Sequence, residues 1–251
     1  MKLSNYHTHT RFCDGKDEPE ELVLEALRLG CPELGFSGHS YVSFDLECCM
    51  SPAGTEEYVQ TVRALQKKYR GRINIRLGVE QDFYSEASTG AYEYVIGSVH
   101  YLLKNGRYLP VDLSAESQIS LVSEYYGGDF YAFAEDYYDT VGRVYEKTHC
   151  DVIGHFDLVT KFNEGGCLFD TAAPRYRRAA MAALERLMDT PAVFEINTGA
   201  VSRGYRTGPY PEDFILETLK KCGKKLILSS DCHAKENLLF DFNQAKKLLH
   251  L

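Results

Sequence analysis

Residues 3–10 have the sequence LSNYHTHT, which predicts a short β-strand over residues 3–9 with two histidines at its end. Side chains two positions apart on a strand point to the same side, so the imidazoles of His7 and His9 should converge. Converging imidazoles are a common way to offer two nitrogen ligands to one metal ion. Two surface histidines would give the same spacing by chance, so the inference depends on the ends of the other strands.

Six more strands are predicted, and helices separate them. The strands cover residues 33–39, 73–80, 94–100, 151–155, 192–197 and 226–231. The predicted helices cover residues 17–29, 55–70, 115–126, 129–147, 173–189, 211–222 and 236–249. Regular alternation of strand and helix is typical of a parallel sheet with helices packed outside it. Seven short, mostly apolar strands in one domain favour an α/β fold closed into a barrel over an open sheet.

Polar residues recur where the predicted strands end. In a parallel barrel the carboxyl ends of all strands lie on one face, where catalytic groups gather. A scatter of core histidines would not place six of the eight histidines at one end of their strands. His149 and His250, near predicted helix ends, are interpreted as surface residues. The residues predicted to meet on that face are His7, His9, His39, Glu80, His100, His155, Asp231 and His233.

Composition limits the class of protein. The chain has 251 residues, 44% of them hydrophobic, which suits one large domain over residues 1–251. The net charge of −8 disfavours binding to nucleic acid or to an anionic membrane, but it leaves room for a small anionic substrate. No apolar run reaches transmembrane length, and the amino-terminal residues lack the apolar stretch of a signal peptide. The eight cysteines have no regular spacing, which indicates reduced thiols and a cytoplasmic protein.

Six imidazoles and two carboxylates are more ligands than one ion needs. Two or three divalent ions within about 4 Å of one another would use them, with Glu80 bridging two of the ions. Neutral imidazole with carboxylate suits Zn, Fe or Mn. Clustered metals lower the pKa of a bound water from about 15.7 towards 7 and neutralise the charge of a phosphoester, so hydrolysis is predicted. Arg203 and Lys161 could hold a phosphate, although a solvated surface position explains each of them equally well.

Eight short motifs resemble those of the PHP (polymerase and histidinol phosphatase) superfamily and, within it, the histidinol-phosphatase branch. They extend over essentially the whole chain and are specific in combination. The resemblance implies a distorted (β/α)7 barrel, the TIM-like PHP fold, in agreement with the seven predicted strands. The motifs are HTHT at 7–10, FCDGK at 12–16, SGHS at 37–40, GVE at 78–80, GSVH at 97–100, IGHFD at 153–157, NTG at 197–199 and SSDCH at 229–233.

The resemblance also implies a site for three metal ions. The first ion would be bound by His7, His9, Glu80 and Asp231, the second by Glu80, His100 and His155, and the third by Asp14, His39 and His233. The sequence alone would place Asp14 in a turn before Gly15, and only the resemblance makes it a ligand. Gly38 stands where the family often has Asp, which removes a possible partner for His39.

The reaction implied by the resemblance is hydrolysis of L-histidinol phosphate to L-histidinol and phosphate, a step of histidine biosynthesis. A hydroxide held by the metals would attack phosphorus in line, while Arg203 and Lys161 hold the phosphate oxygens. Asp231 or His233 would manage the proton on the nucleophile or on the leaving oxygen. Glu116 could pair with the substrate amine, although an exposed helix position is the simpler explanation for that residue.

Three other functions fit parts of the pattern. Another phosphoesterase of the same superfamily, acting on a nucleotide or another small phosphoester, would use the same ligands. A metal-dependent amidohydrolase also begins with His-x-His, but it would usually add a carboxylated lysine and an eighth strand, neither of which the sequence predicts. A non-catalytic metal-binding domain would be expected to have lost some ligands, whereas every family position here holds a competent one.

Overall fold

The computed structural model describes residues 3–249, in which strands and helices alternate. The strands are β1 Glu33–Phe36, β2 Asn74–Asp82, β3 Tyr94–Ser98, β4 Tyr101–Lys104, β5 Arg107–Pro110, β6 Val152–Ile153, β7 Val193–Asn197 and β8 Leu226–Ser229. The α-helices are α1 Pro19–Arg28, α2 Pro52–Lys68, α3 Ala115–Tyr126, α4 Phe130–Val141, α5 Val144–Thr148, α6 Pro174–Met188, α7 Gly199–Ser202, α8 Asp213–Lys221 and α9 Phe242–Ala245. Short 3₁₀ helices cover Leu158–Thr160, Glu164–Gly166, Lys235–Asn237 and Lys246–Leu249. None of the helices within residues 3–249 combines the length and the apolar character needed to cross a membrane.

Six strands form one parallel sheet in the order β1-β2-β3-β6-β7-β8. Asn5 pairs with Leu34 of β1, and Thr8 pairs with Cys232 just beyond β8. The first segment of the chain therefore joins the two edges of the sheet and curls it towards a barrel. The strand predicted at residues 3–9 is present as these two isolated bridges. The parallel order and the helices that alternate with the strands confirm the predicted α/β class.

The inner face of the curled sheet changes from apolar to polar along its strands. On β3, Ile96 is followed two positions later by Ser98, and on β7, Val193 is followed by Glu195 and Asn197. Ile96 and Val193 belong to one apolar cluster at the amino ends of the strands. Since side chains two apart share a face, the polar residues stack above that cluster, towards the carboxyl ends. The fold thus separates a packed end of the barrel from a polar end.

Tyr94 fills the packed end of the barrel. Its hydroxyl lies 2.5 Å from the backbone carbonyl oxygen of Tyr6 and 2.9 Å from that of Phe36. The ring lies against Gly35 and Gly78, which have no Cβ to displace it. The two glycines therefore allow one large aromatic side chain to contact three neighbouring segments at once.

Two predicted helices are broken in the structure. The helix predicted over residues 129–147 is divided into α4, capped by the carboxylate of Asp129, and α5, which begins beyond Gly142. A Cβ at Gly142 would lie about 3.0 Å from a side-chain carbon of α6, so glycine at the break allows α6 to pack closely there. The helix predicted over residues 236–249 consists of single turns, interrupted where Asp241 has a positive φ of 57°.

β4 and β5 form an antiparallel hairpin that the predicted strands did not include. The turn residues Asn105 and Gly106 have φ values of 50° and 75°. Asn-Gly with both residues at positive φ is the preferred two-residue hairpin turn, so this dipeptide was an available signal for the hairpin.

Replacing Gly78 with Ala should lower the free energy of unfolding by about 1–3 kcal/mol, because the new methyl group would overlap the buried Tyr94 ring. Urea denaturation measures this difference. Gly90→Ala is the matched control, since its Cβ would lie 3.7 Å from the nearest side-chain atom, Ser88 Oγ. Equal stabilities for the two variants would contradict the packing described for Tyr94.

Candidate metal centre

A cavity of about 260 Å³ lies at the carboxyl ends of the parallel strands. His7, His9 and Glu80 are almost completely buried beneath it. The basic residues Arg203 and Lys161 contribute to its wall. The other predicted ligands also line the cavity, and they are Asp14, His39, His100, His155, Asp231 and His233.

Glu80 lies at the centre of the cluster. Five imidazoles each have a ring nitrogen within 3.4 Å of one of its carboxylate oxygens. The distances are 3.1 Å for His7, 3.4 Å for His9, 3.0 Å for His39, 3.3 Å for His100 and 2.9 Å for His155. Ser98 also donates its hydroxyl to Glu80 Oε1 at 2.6 Å. A carboxylate in this position can contact more than one bound cation.

Asp231 is the second carboxylate at the buried end of the cluster. Its Oδ1 lies 3.1 Å from His9 Nε2 and 3.6 Å from His7 Nε2. Its φ of 47° is in the left-handed region, which a non-glycine residue occupies at some cost and which is frequent at functional sites. A Cβ at Gly199 would lie 2.8 Å from Asp231 Oδ2, so only glycine leaves room for the carboxylate.

Asp14 joins the more exposed side of the cluster. Its carboxylate oxygens lie 3.1 Å from His233 Nε2, 3.6 Å from His39 Nε2 and 3.8 Å from His9 Nδ1. The turn that presents Asp14 depends on Gly15, because a Cβ there would collide with the backbone of the His9 segment. The structure therefore brings Asp14 to the cluster, where the turn pattern alone did not predict a ligand.

The donor set fits divalent cations. Four groups of residues can each offer ligand atoms that lie within 4.8 Å of one another. The groups are His9, Asp14, His39 and His233; His7, Glu80 and His155; His7, His9 and Asp231; and His39, Glu80 and His100. Within residues 3–249, the buried Nε2 atoms of His7 and His9 and Oε2 of Glu80 have no hydrogen-bond partner. Buried polar atoms without a partner are costly, and a bound cation would satisfy all three.

The charges in the cluster give Glu80 and His9 the protonation states that bind metals. Burial alone would raise the pKa of Glu80, but the surrounding imidazoles, led by His7 and His39, hold it well below its usual value. Burial, together with the imidazoles of His233 and His39, lowers the pKa of His9 to about 3. At neutral pH Glu80 is therefore a carboxylate and His9 a neutral imidazole, as metal ligands must be.

Arg203 contacts both Asp231 and His233. Its Nη2 donates to Asp231 Oδ2 at 3.2 Å, and its Nη1 donates to the Asp231 carbonyl oxygen at 3.2 Å. Nη1 also lies 2.8 Å from His233 Nδ1. The same nitrogen lies 3.0 Å from the Asp231 carbonyl oxygen, so Nδ1 can accept from the guanidinium or donate to the carbonyl, according to the tautomer. Arg203 thus helps to hold Asp231 and His233 in position at the cavity.

The two other predicted substrate contacts have different surroundings. The Lys161 ammonium donates to the carbonyl oxygen and to Oδ2 of Asp112, both at 2.8 Å. Burial would raise the pKa of Asp112, but Lys161 and His100 lower it to about 2. Glu116 is exposed in the first turn of α3 and, within the described chain, lies outside the cavity wall. Its charge there complements the amino end of the helix, and a contact between Glu116 and the substrate amine stays a prediction.

Two carboxylates of the site were not predicted. Glu195 Oε2 lies 2.9 Å from His7 Nδ1. Asp82 Oδ2 lies 3.2 Å from His100 Nδ1 and accepts the backbone N–H of His100 at 3.0 Å. Each acid occupies the inner face of a buried strand, where a carboxylate is rare unless it has a partner. The period-two pattern of the strands was the signal that could have identified both residues.

Comparison with known proteins gives consistent results. Residues 5–199 match a family model described as the PHP domain. The chain is 28% identical to the histidinol-phosphatase of Bacillus subtilis, over 93% of this chain and 94% of that protein. Its fold is similar to that of a Lactococcus lactis histidinol phosphate phosphatase complexed with zinc, L-histidinol and phosphate, with a TM-score of 0.73, 20% identity and coverage of 99% and 92%. A structure from Listeria monocytogenes with a provisional histidinol-phosphatase name gives a TM-score of 0.83, 21% identity and coverage of 96% and 99%.

Metal binding should weaken as the pH falls. Burial opposes the charged forms of His7, His39 and His100, but nearby carboxylates, Glu80 foremost, raise the pKa of each above its usual value. Protons therefore compete with the metal as the pH falls through these raised values, and affinity should drop about tenfold per pH unit for each proton displaced. Competition with a chromophoric zinc chelator between pH 8.5 and 6.5 measures the effect. An affinity independent of pH would show that the imidazoles do not bind the ion.

Proposed function

This chain belongs to the PHP domain family, and we propose that it is a histidinol-phosphatase, which hydrolyses L-histidinol phosphate to L-histidinol and phosphate. The family match confirms the superfamily that the sequence motifs predicted. The Bacillus subtilis relative, which aligns over nearly the whole of both chains, has this activity in its name. The substrate places the enzyme in the biosynthesis of histidine.

The observation that carries the proposal is a single cavity in which candidate metal-binding side chains and a half-buried guanidinium meet. Arg203 reaches the same wall as the imidazoles of His39, His100 and His155. Imidazole and carboxylate ligands supply sites for cations, and an arginine fork supplies a site for a phosphate group. A small phosphoester requires both kinds of site at one place. An amide substrate would give Arg203 no comparable partner.

Two to three divalent ions, drawn from Zn, Fe and Mn, suit this donor set. When bound, they would lower the pKa of water and neutralise charge on the phosphate. The residues proposed to hold them are His7, His9, Asp14, His39, Glu80, His100, His155, Asp231 and His233. His233 can hold an ion through Nε2 only in the tautomer that lacks the proton there.

The chain's own residues position the phosphate and move protons. Arg203 would hold phosphate oxygens while its donors keep Asp231 and His233 in place. Asp231, an ionised carboxylate, can accept the proton of the attacking water. Where no ion is held at its Nε2, His233 can instead donate a proton from that atom to the leaving oxygen of L-histidinol. Lys161 is proposed to add positive charge at the phosphate, although it shares its ammonium with Asp112.

The proposal treats residues 1–251 as one domain of a cytoplasmic protein. The main apolar core includes residues from Leu22 to Leu238, so elements throughout the chain pack together. All eight cysteines are free thiols in the structure, which agrees with a reducing compartment.

Phosphate release from L-histidinol phosphate tests the proposed function. The substrate is compared with a nucleoside monophosphate, a sugar phosphate and a phosphodiester, with protein of known metal content. We expect kcat/KM for L-histidinol phosphate to exceed the others at least about 100-fold, to disappear on chelation, and to return with added Zn or Mn. Metal-dependent turnover of another phosphoester in preference to L-histidinol phosphate would show that the proposed substrate is wrong. Absence of turnover by fully metallated protein would support a non-catalytic domain instead.

Arg203→Ala should lower kcat/KM per bound metal ion about 100- to 1,000-fold, because it removes the guanidinium proposed to hold phosphate oxygens. Metal content is measured separately, since Arg203 also supports Asp231 and His233. Arg203→Lys should recover only part of the loss, since lysine lacks the fork. Phosphate release and elemental analysis measure the two quantities. Arg178→Ala, at an exposed position of α6, is the control. An Arg203→Ala variant with wild-type turnover would remove Arg203 from the mechanism.

A further inference from the structure

We propose that Glu195 is a positioning residue, which keeps the ring proton of His7 on Nδ1 so that Nε2 faces the metal cluster. The proposal rests on the proposed metal-dependent function to the extent that His7 binds an ion. Glu195 is 1% exposed and His7 is completely buried, so water cannot take the place of their contact. Glu195 lies on β7, 188 positions from His7 in the chain.

One carboxylate oxygen of Glu195 accepts hydrogen bonds from two N–H groups, each of which can only donate. Oε1 accepts the backbone N–H of His155 at 2.6 Å and the side-chain amide N–H of Asn197 at 2.8 Å. The orientation of the Asn197 amide is fixed at its other end, where Oδ1 accepts the backbone N–H of Gly199 at 2.8 Å. Oε1 is therefore fully engaged, and it also holds the backbone of a second predicted ligand, His155.

The other oxygen of Glu195 faces His7. Oε2 lies 2.9 Å from His7 Nδ1, and a carboxylate can only accept a hydrogen bond. In the neutral ring the proton must then lie on Nδ1, which leaves the lone pair on Nε2. Nε2 lies 3.1 Å from Glu80 Oε2 and 3.6 Å from Asp231 Oδ1. A carboxylate behind the ring fixes both its orientation and the nitrogen offered to the cation.

Glutamine at position 195 could not accept hydrogen bonds from His7, His155 and Asn197 at the same time. If its amide oxygen accepted from His155 and Asn197, its NH2 group would donate to His7 Nδ1 and move the ring proton to Nε2. If its oxygen accepted from His7 instead, its NH2 group would face two donors. Glu195→Gln therefore preserves size but forces either the wrong tautomer or an unsatisfied contact, and either result weakens binding through His7.

Zinc affinity tests the proposal without reference to turnover. Metal-free wild type and Glu195→Gln are titrated with zinc against a chromophoric chelator at pH 7.5, and circular dichroism checks that each is folded. We expect the tightest zinc site to weaken 10- to 100-fold in Glu195→Gln. Glu93→Gln, which removes an exposed carboxylate at the amino end of the barrel, should match the wild type. Equal zinc affinity in folded Glu195→Gln would overturn the proposal.

The tautomer of His7 provides a second measurement that needs no variant. Long-range ¹H–¹⁵N correlations of the zinc-loaded wild-type protein should show the His7 proton on Nδ1. The same result is expected for the metal-free protein at a pH high enough to neutralise the ring. A proton on Nε2 would overturn the proposal. A wild-type protein that binds no zinc would overturn the proposed function, and the metal-free spectrum would then decide the role of Glu195 independently.

Discussion

The buried carboxylate of Glu80 is the group on which the arrangement of the site depends. A carboxylate removed from water requires donors or cations around it, because its desolvation is otherwise too costly. Five imidazoles surround it, and they come from the segments at residues 7–9, 39, 100 and 155. These segments meet only when the parallel sheet curls and the amino-terminal segment pairs beside its last strand. The candidate metal centre therefore assembles only when the barrel closes.

The same strands serve packing at one end and chemistry at the other. Tyr94 and its apolar neighbours fill the amino end of the barrel, where two glycines admit the ring. At the carboxyl end, glycine again permits close approach, with Gly199 beside the carboxylate of Asp231. Asp231, with its positive φ, and the buried ring nitrogens of His7 and His9 that have no hydrogen-bond partner lie at the carboxyl end of the barrel. Backbone strain and buried polar atoms without partners both cost free energy, and both are typical of a functional site that a stable scaffold supports.

Much of this architecture could be predicted from the period-two and helical patterns. The polar residue at the end of a strand identified Glu80 and His155 without any family knowledge, because parallel strands share one direction. Asp14 could not be predicted in this way, because an Asp-Gly turn has no periodic pattern that would indicate a contact with residues far away in the chain. The structure supplies what the pattern lacks: the fold of the turn against the His9 segment.

Other features depend on contacts that a linear pattern does not contain. The pairing of Lys161 with Asp112 joins residues 49 positions apart, so its effect on the lysine's charge was not visible in the sequence. Glu116 was placed by residue type alone, and its helix turns it to solvent. The role proposed for Glu195 depends on the orientation of Asn197, which one backbone N–H of Gly199 determines. Pattern thus predicted the location of the site, and three-dimensional contacts were needed to describe its hydrogen bonding.

Anomalous diffraction from crystals of the zinc-loaded protein, recorded on both sides of the zinc absorption edge, tests the central claim most directly. The claim predicts at least two zinc peaks at the cluster, with a Glu80 oxygen and imidazole nitrogens at about 2.0–2.2 Å from them. Zinc bound only elsewhere on the molecule, with the Glu80 cluster unchanged and free of metal at saturation, would contradict it.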